Sequence, residues 1–268
     1  RLATGARAIE RSGDASGRLP IPPARDEVGE LAETLNAMLA SLQRAREAEQ
    51  RFVGDASHEL RTPLTALRGN LAYVTRHGPD ADVLADIEAD AARLSALLDD
   101  LLALAREDAA ARAGGDAVDL ADVAREAAAA DGHTEVLATP AHVRGERPAL
   151  VRAVGNLVAN ARKHGPPGGR ITITTGVDAD RAWITVADEG PGLPPSQAAD
   201  AFDRFWRGPD ARGEGSGLGL AIVRAIAERH GGRVTVDHAH FTIDLPALTD
   251  LSTLDRRNRS HETTSPRD

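Results

Sequence analysis

The chain has no cysteine and, in 268 residues, only one lysine, one methionine and one tyrosine; aromatic residues make up 3%. The missing thiols exclude disulfides, thiolate zinc sites and cysteine nucleophiles together, and fit a reducing compartment, the cytoplasm by default. With so few rings, cores must be built from Leu, Val, Ile and Ala, which favours Ala-rich helices. No run approaches the roughly 20 apolar residues that cross a bilayer, and no charged-then-apolar signal pattern opens the chain. Because Arg1 is not preceded by an initiator methionine, the sequence is expected to be a fragment or processed chain lacking an upstream part. The net charge of −9 comes without any block of basic residues, so nucleic acid is a poor partner. No Gly-x-x-x-x-Gly-Lys-Ser/Thr occurs either, which excludes a P-loop.

What is present is strongly periodic. The length accommodates two small folded units plus connecting helices. Residues 1 to about 19 carry a short apolar pattern ended by Pro20, Pro22 and Pro23, and a second short helix starts near Asp26, with Val28, Leu31, Leu35, Met38 and Leu42 on one stripe. Val53, Ala56, Leu60, Leu64, Leu67, Leu71 and Val74 predict one long helix, broken by His77-Gly78-Pro79-Asp80. Leu84, Ile87, Ala91, Leu94, Leu98, Leu101 and Ala105 predict a second at heptad spacing. Such a hairpin leaves apolar surface wet, and pairing with a second copy into a four-helix bundle buries it. After a small-residue linker the texture changes to helix 119–130, strand 134–138, helix 147–164, strands 171–174 and 182–186, helix 218–230 and strands 233–237 and 240–245, an α/β sandwich. The residues beyond Pro246 are polar, charged and expected to be disordered.

On the long helix, about 100° per residue puts His58 roughly 160° from Leu60, off the apolar stripe and toward solvent. Glu59 follows it and Thr62 lies one turn on. An imidazole can attack phosphorus through one ring nitrogen while a carboxylate takes the proton from the other, which makes Glu59 a candidate base. Pro63 costs about 3 kcal/mol inside a helix and predicts a kink beside the histidine. A surface histidine without chemistry is the bland alternative.

The glycines suggest a nucleotide. Asp188-Glu189-Gly190-Pro191-Gly192 follows a predicted strand, and Gly213-Glu214-Gly215-Ser216-Gly217-Leu218-Gly219 leads into a helix, where free backbone N–H groups and the helix dipole favour phosphate. A buried aspartate after a strand can accept a hydrogen bond from the exocyclic amine of adenine. Asn156 and Asn160 lie one turn apart, with Lys163 and His164 on the next, and can meet hydrated Mg²⁺ and phosphates. Singly, each element reads equally as turn or local capping chemistry. His238 and His240 share a strand face, but two ligands do not make a metal site.

Phe52-Val53-Gly54-Asp55-Ala56-Ser57-His58-Glu59-Leu60-Arg61-Thr62-Pro63-Leu64-Thr65 resembles the histidine box of sensor histidine kinases. Asn156-Leu157-Val158-Ala159-Asn160-Ala161 resembles the asparagine box of the GHKL superfamily, Phe202-Asp203-Arg204-Phe205-Trp206-Arg207 the kinases' phenylalanine box on a mobile lid, and Asp26-Glu27-Val28-Gly29 the second half of a HAMP relay module. The resemblance implies His58 as phosphoacceptor, Glu59 as acid/base and Thr62 as the residue that positions water for dephosphorylation. It implies Asn160 as magnesium ligand, Asp188 as adenine contact, and Asn156, Lys163, His164, Gly190, Gly192, Phe205, Arg207, Gly215, Gly217, Leu218 and Gly219 as the remaining wall of an ATP site.

The implied organisation is a partial HAMP module (1–46), a dimerising phosphotransfer hairpin (47–108), a linker (109–117), a catalytic ATP-binding domain (118–246) and a tail (247–268). The implied partners are a second copy, a response regulator and, through the missing upstream segment, a membrane. Two departures stand out: Gly165 occupies a position where Thr or Ser is common, and the stretch from Val236 to Phe241 is shorter than the usual glycine-containing turn. Two rival readings are a degenerate, scaffold-like or mainly phosphatase protein, and a GHKL ATPase without a phosphoenzyme.

Overall fold

The computed structural model describes residue 19 and residues 27–109, 115–129, 132–208 and 215–249. The first predicted helix (1–19) lies outside these apart from Leu19, as do Asp26, Gly213, Glu214 and the tail from residue 250. The chain divides into two compact units, residues 1–87 and 88–268.

The first unit is dominated by α1, Glu27–His77, 51 residues long. This corrects the expectation of a separate short helix beginning near Asp26: the same helix continues through the histidine segment. The polar stretch 43–51 offers no apolar stripe but is made of strong helix formers, and Gln43 donates to Glu47 one turn on (2.8 Å). The helix also runs through Pro63, which is buried. Leu19 is buried against α1, its backbone N–H and C=O both bonded to the Asn36 amide (2.8 and 3.0 Å). Gly78, at φ +91°, ends α1 in the left-handed region that favours glycine. Asp80 then accepts from the N–H groups of Asp82 and Val83, capping α2, Ala81–Ala109.

The second unit takes in the rest of α2 and an α/β domain. β1 (Asp116–Asp119) pairs antiparallel with β3 (His142–Gly145), a two-stranded sheet the sequence pattern did not predict. Asp119 accepts from the N–H groups of Ala121 and Ala141 (3.0 and 2.9 Å), capping α3 (Leu120–Ala129) and pinning the loop before β3. The main sheet has the order β2 (Thr134–Ala138), β4 (Ile171–Asp178), β5 (Arg181–Asp188), β7 (His240–Pro246), β6 (Arg233–Asp237); β2 and β4 are parallel and the other pairs antiparallel.

Alternation on β4 and β5 sends Ile171, Ile173, Ala182, Ile184 and Val186 to one buried face. The helices α3, α4 (Arg147–His164) and α6 (Gly219–Arg229) cover it with Leu120, Val123, Leu150, Leu157, Ile222 and Ile226. A four-residue helix α5, Pro195–Ala198, and a 3₁₀ turn precede the segment described as far as Gly208. This is the α-helical segment followed by an α/β sandwich that the periodicity indicates.

His230, at the end of α6, fastens that helix to β3 and α4. Its Nε2 accepts from the Glu146 N–H (3.1 Å) while Nδ1 lies 2.7 Å from the Ile226 carbonyl, so the proton sits on Nδ1. Burial lowers its pKa and Arg229 adds to this, against the Ile226 bond and the Glu107 and Glu146 carboxylates, which raise it; the net direction is below 6.5. Protonation would put a second N–H against the Glu146 donor. As pH falls, the unfolded chain takes the proton first, so His230's contribution is complete above the unfolded value near 6.5 and is lost as pH falls through the lower folded pKa. Thermal melts between pH 7.5 and 5 should therefore show a decline in stability that a His230→Gln variant lacks over the same window.

Candidate functional site

In the first unit His58 is exposed on α1 and Glu59, next to it, is half-buried. The Thr62 hydroxyl is turned back toward the His58 carbonyl at 3.5 Å, a long contact that leaves it available to other partners.

In the second unit, the predicted nucleotide residues from four separate stretches converge. α4 supplies Asn156, Asn160, Lys163 and His164 from one face, the end of β5 supplies Asp188, and the loops after β5 and before α6 supply the glycines. Apart from Gly190, Phe205 and Leu218, they line two adjoining cavities of about 270 and 370 Å³, and Asn160 and His164 form part of both walls. Pro148 at the start of α4 suits a helix entry, where a missing N–H costs nothing. At its other end Gly165, in extended conformation, closes on the Ala161 carbonyl. A Cβ there would crowd that carbonyl at 2.7 Å.

The cavity toward β5 holds Asp188, Pro191, Gly192, Leu193 and Phe241. Asp188 is partly exposed rather than buried, because it borders the cavity. One of its oxygens accepts from the Gly190 N–H (2.7 Å), which leaves the other to face a ligand. Gly192 has φ +65°, and a Cβ there would run into the backbone of His238 and Ala239. That backbone is the shortened turn between β6 and β7. His238 sits at φ +53° in a two-residue turn, not on a strand face shared with His240, so the expected histidine pair does not form. The turn has a structural role instead: its carbonyls accept from the Leu193 N–H (3.0 Å, His238) and the Asp188 N–H (3.3 Å, Ala239), bracing the loop after β5.

An alanine at 192 would cost about 1–2 kcal/mol for its left-handed backbone alone. With the collision added, Gly192→Ala should destabilise the domain by at least that much, read as a lowered midpoint in a thermal melt.

The other cavity holds Asn156, Asn160, Lys163, Gly215, Gly217 and Gly219. Asn156 donates to the Gly219 carbonyl (3.2 Å), fixing the start of α6 to α4. The Lys163 ammonium lies so close to Gly215, at φ +149°, that a Cβ there would strike it. Gly217, at φ +69°, packs on the backbone of Phe205 and Trp206, which brings the phenylalanine segment onto the glycine loop. Phe205 itself is held at φ +61°, an uncommon conformation for a bulky residue, and Arg207 is exposed beside the cavity it helps line. Leu218 is wholly buried, anchoring the loop as α6 begins. Burial lowers the pKa of His164, helped by Lys163 and opposed by Asp188.

The Asn160 amide has no hydrogen-bond partner among the described residues and stands on the wall common to both cavities. A neutral hard oxygen so placed fits Mg²⁺ shared with phosphates and water; among the described residues no group of three His, Asp or Glu offers an all-protein site.

Other lining residues, Gln197 and Phe241 among them, were not anticipated, and neither was a pair that bond to each other. Asp100 of α2 lines the cavity, and its carboxylate accepts from the Ser216 hydroxyl (2.9 Å). Neither was singled out as a site residue, since the pair is separated by 116 positions.

Three families match the chain: "HAMP domain" over residues 1–44, "His Kinase A (phospho-acceptor) domain" over 48–110, and "Histidine kinase-, DNA gyrase B-, and HSP90-like ATPase" over 145–249. Proteins named signal transduction histidine-protein kinase/phosphatase MprB are similar. The one from Mycolicibacterium vanbaalenii is 39% identical over 256 residues, covering 88% of this chain and 52% of that protein. The one from Mycobacterium avium is 40% identical over 260 residues, covering 88% and 48%. The chain thus spans about half the length of the curated relatives it matches. Among solved structures, Acinetobacter baumannii histidine kinase AdeS superposes with a TM-score of 0.60 at 26% identity, over 72% of this chain and 98% of that one. ShkA in complex with AMPPNP superposes at 0.51 with 27% identity, over 75% and 46%.

Proposed function

Since the chain belongs to the sensor histidine kinases of two-component systems, with an ATP-binding domain of the GHKL type, we propose that it phosphorylates His58 from Mg-ATP and passes the group to an aspartate of a response regulator. The observation that carries this reading is the convergence of Asn160, Lys163, Asp188 and the glycine loops on one pair of cavities in a chain that also exposes His58 beside Glu59.

Asp188 selects adenine through its free carboxylate oxygen. Asn156, Lys163, His164 and the backbone around Gly190, Gly192, Gly215, Gly217, Leu218 and Gly219 hold the ribose and phosphates, with Phe205 and Arg207 on the lid side. Asn160 would hold Mg²⁺, whose charge screens the phosphates during transfer. One nitrogen of His58 forms a bond to the γ-phosphorus as the bond from phosphorus to the β,γ-bridging oxygen breaks, and Glu59 takes the proton from the other nitrogen. ADP leaves. An aspartate oxygen of the regulator then displaces the imidazole nitrogen from phosphorus, and the imidazole recovers its proton. Because the similar proteins are named kinase/phosphatase, a second activity is included: Thr62 directs water onto the phosphorylated regulator.

The working division is 1–46 relay, 47–108 phosphotransfer hairpin, 109–117 linker, 118–246 catalytic domain and 247–268 tail. Leu31, Met38, Leu42, Val53, Leu64 and Leu71 on α1 and Leu84 on α2 are exposed large hydrophobics, which supports a homodimer that covers them. No described helix is long and apolar enough to cross a membrane; the HAMP match supports attachment through an upstream segment, with this part on the cytoplasmic side.

The test is incubation with γ-labelled ATP and Mg²⁺, then acid and alkali treatment of the protein. Label that survives alkali and is lost in acid is the expected result. ATP turnover with no labelled protein would move the assignment to a plain ATPase.

A further inference from the structure

Helix α2 has two working faces. Leu98 and Leu102 point outward with half their surface exposed, on the side of the predicted heptad stripe. The opposite side repeats at three- and four-residue steps through Leu97, Asp100, Leu104 and Glu107, and there Leu97 and Leu104 are buried, at 5% and 1% exposure. This second stripe is seated on the α/β domain at three polar points. Arg152 of α4 donates to the Asp99 carbonyl (3.4 Å), Ser216 of the glycine loop donates to Asp100 (2.9 Å), and Arg229 of α6 meets Glu107 in a nearly buried ion pair (2.6 Å) while its other nitrogens hold Glu146.

A carboxylate set between the buried Leu97 and Leu104 is costly unless it has a use. Desolvation raises the pKa of Asp100 and neighbouring Asp99 adds to this, while the Ser216 bond and Arg152 lower it. Its oxygen also borders the cavity that holds Asn156, Asn160 and Lys163, the end of the site where phosphates are bound in the reading above. The hydroxyl it accepts from belongs to the glycine loop itself, where Ser216 Oγ in turn accepts from the Leu218 N–H (3.2 Å) at the start of α6.

We propose that Asp100 is a positioning residue that couples nucleotide to helix α2: seated, its carboxylate holds Ser216 and repels an incoming triphosphate, and a bound triphosphate expels it and loosens α2 from the domain. The two states exclude each other by charge, so the coupling is reciprocal. Whatever seats α2 weakens ATP binding, and ATP unseats α2 to the same extent. The long anionic tail of the ligand is essential to this; adenosine, without phosphates, does not meet Asp100. The inference rests on the nucleotide reading of these cavities and adds to it a control exerted from the helical segment.

The test uses the whole chain and two variants, Asp100→Ala and Asp100→Asn, with circular dichroism to show that each folds. A neutral residue in place of one charge near a polyanion should tighten ATP binding about three- to tenfold, leaving adenosine affinity unchanged. Hydrogen exchange of residues 97–107 in the parent chain should quicken when ATP is added, and in Asp100→Ala it should be quick already. Unchanged ATP affinity in both variants, an equal gain for adenosine, or exchange in 97–107 that ignores ATP would overturn the proposal. A parent chain that binds adenosine and ATP not at all would instead remove the nucleotide reading beneath it.

Discussion

A chain carrying His58→Gln should take no label from γ-labelled ATP, a loss of at least about a hundredfold, and should still bind ATP with its original affinity. Glutamine is a good helix former, and position 58 is exposed, so α1 loses no packing and stability should stay within about 0.5 kcal/mol. The backbone carbonyl that faces Thr62 is also retained. What disappears is the ring nitrogen that bonds to phosphorus. The glutamine amide is a poor nucleophile and has no second nitrogen from which Glu59 can remove a proton. Labelling followed by gel separation, with ATP affinity measured in parallel, separates a lost acceptor from a lost nucleotide site. Acid-labile label persisting at the parent's level would place the acceptor on one of the other eight of the chain's nine histidines.

The parts of the fold legible in the sequence are those where several local signals agree. Helix 147–164 has proline at its entry, a three-and-four apolar rhythm through Leu150, Val154, Leu157 and Ala161, and glycine after its end, and it is found at those bounds. Strands 134–138 and 233–237 are also found at the bounds expected of them. Illegible parts have a common physical cause, dependence on a distant partner. β1 and β3 are four residues each, too short to show a period, and exist because they pair with each other and are fixed by Asp119. The turn at His238 carries no glycine or asparagine to announce it; its left-handed residue is held by the nucleotide loop that leans on it.

The site follows the same rule. Asn156, Asn160, Lys163 and His164 could be grouped from helical spacing alone, and Asp188 from its place after a strand. Asp100 could not, since nothing near it in sequence says that the far face of its helix reaches the glycine loop. A second stripe, offset from the heptad by one position and interrupted by a carboxylate, was nevertheless there to be read in Leu97, Asp100, Leu104 and Glu107.

Asn160→Asp should be nearly as damaging as loss of His58, for a different reason. The change is close to isosteric, and a side chain without protein hydrogen bonds among the described residues can be exchanged at little cost to the fold, so the melting temperature should hold. The added negative charge, however, stands on the wall shared by both cavities, with Asp188 bordering one and Asp100 the other. At an effective dielectric of about 20, a unit charge about 4 Å from another is worth roughly 4 kcal/mol, enough to oppose phosphate binding even after partial screening by lysine and metal. A carboxylate also grips a hard cation more tightly than an amide does and fixes it to the protein rather than to the moving phosphoryl group. Both effects act in the same direction, so phosphohistidine formation should fall by about a hundredfold or more. Raising the Mg²⁺ concentration should restore binding of nucleotide before it restores labelling, because screening answers the first effect and not the second. Labelling within about threefold of the parent at ordinary Mg²⁺ would remove Asn160 from the metal site and return it to the wall of the cavity as a spacer.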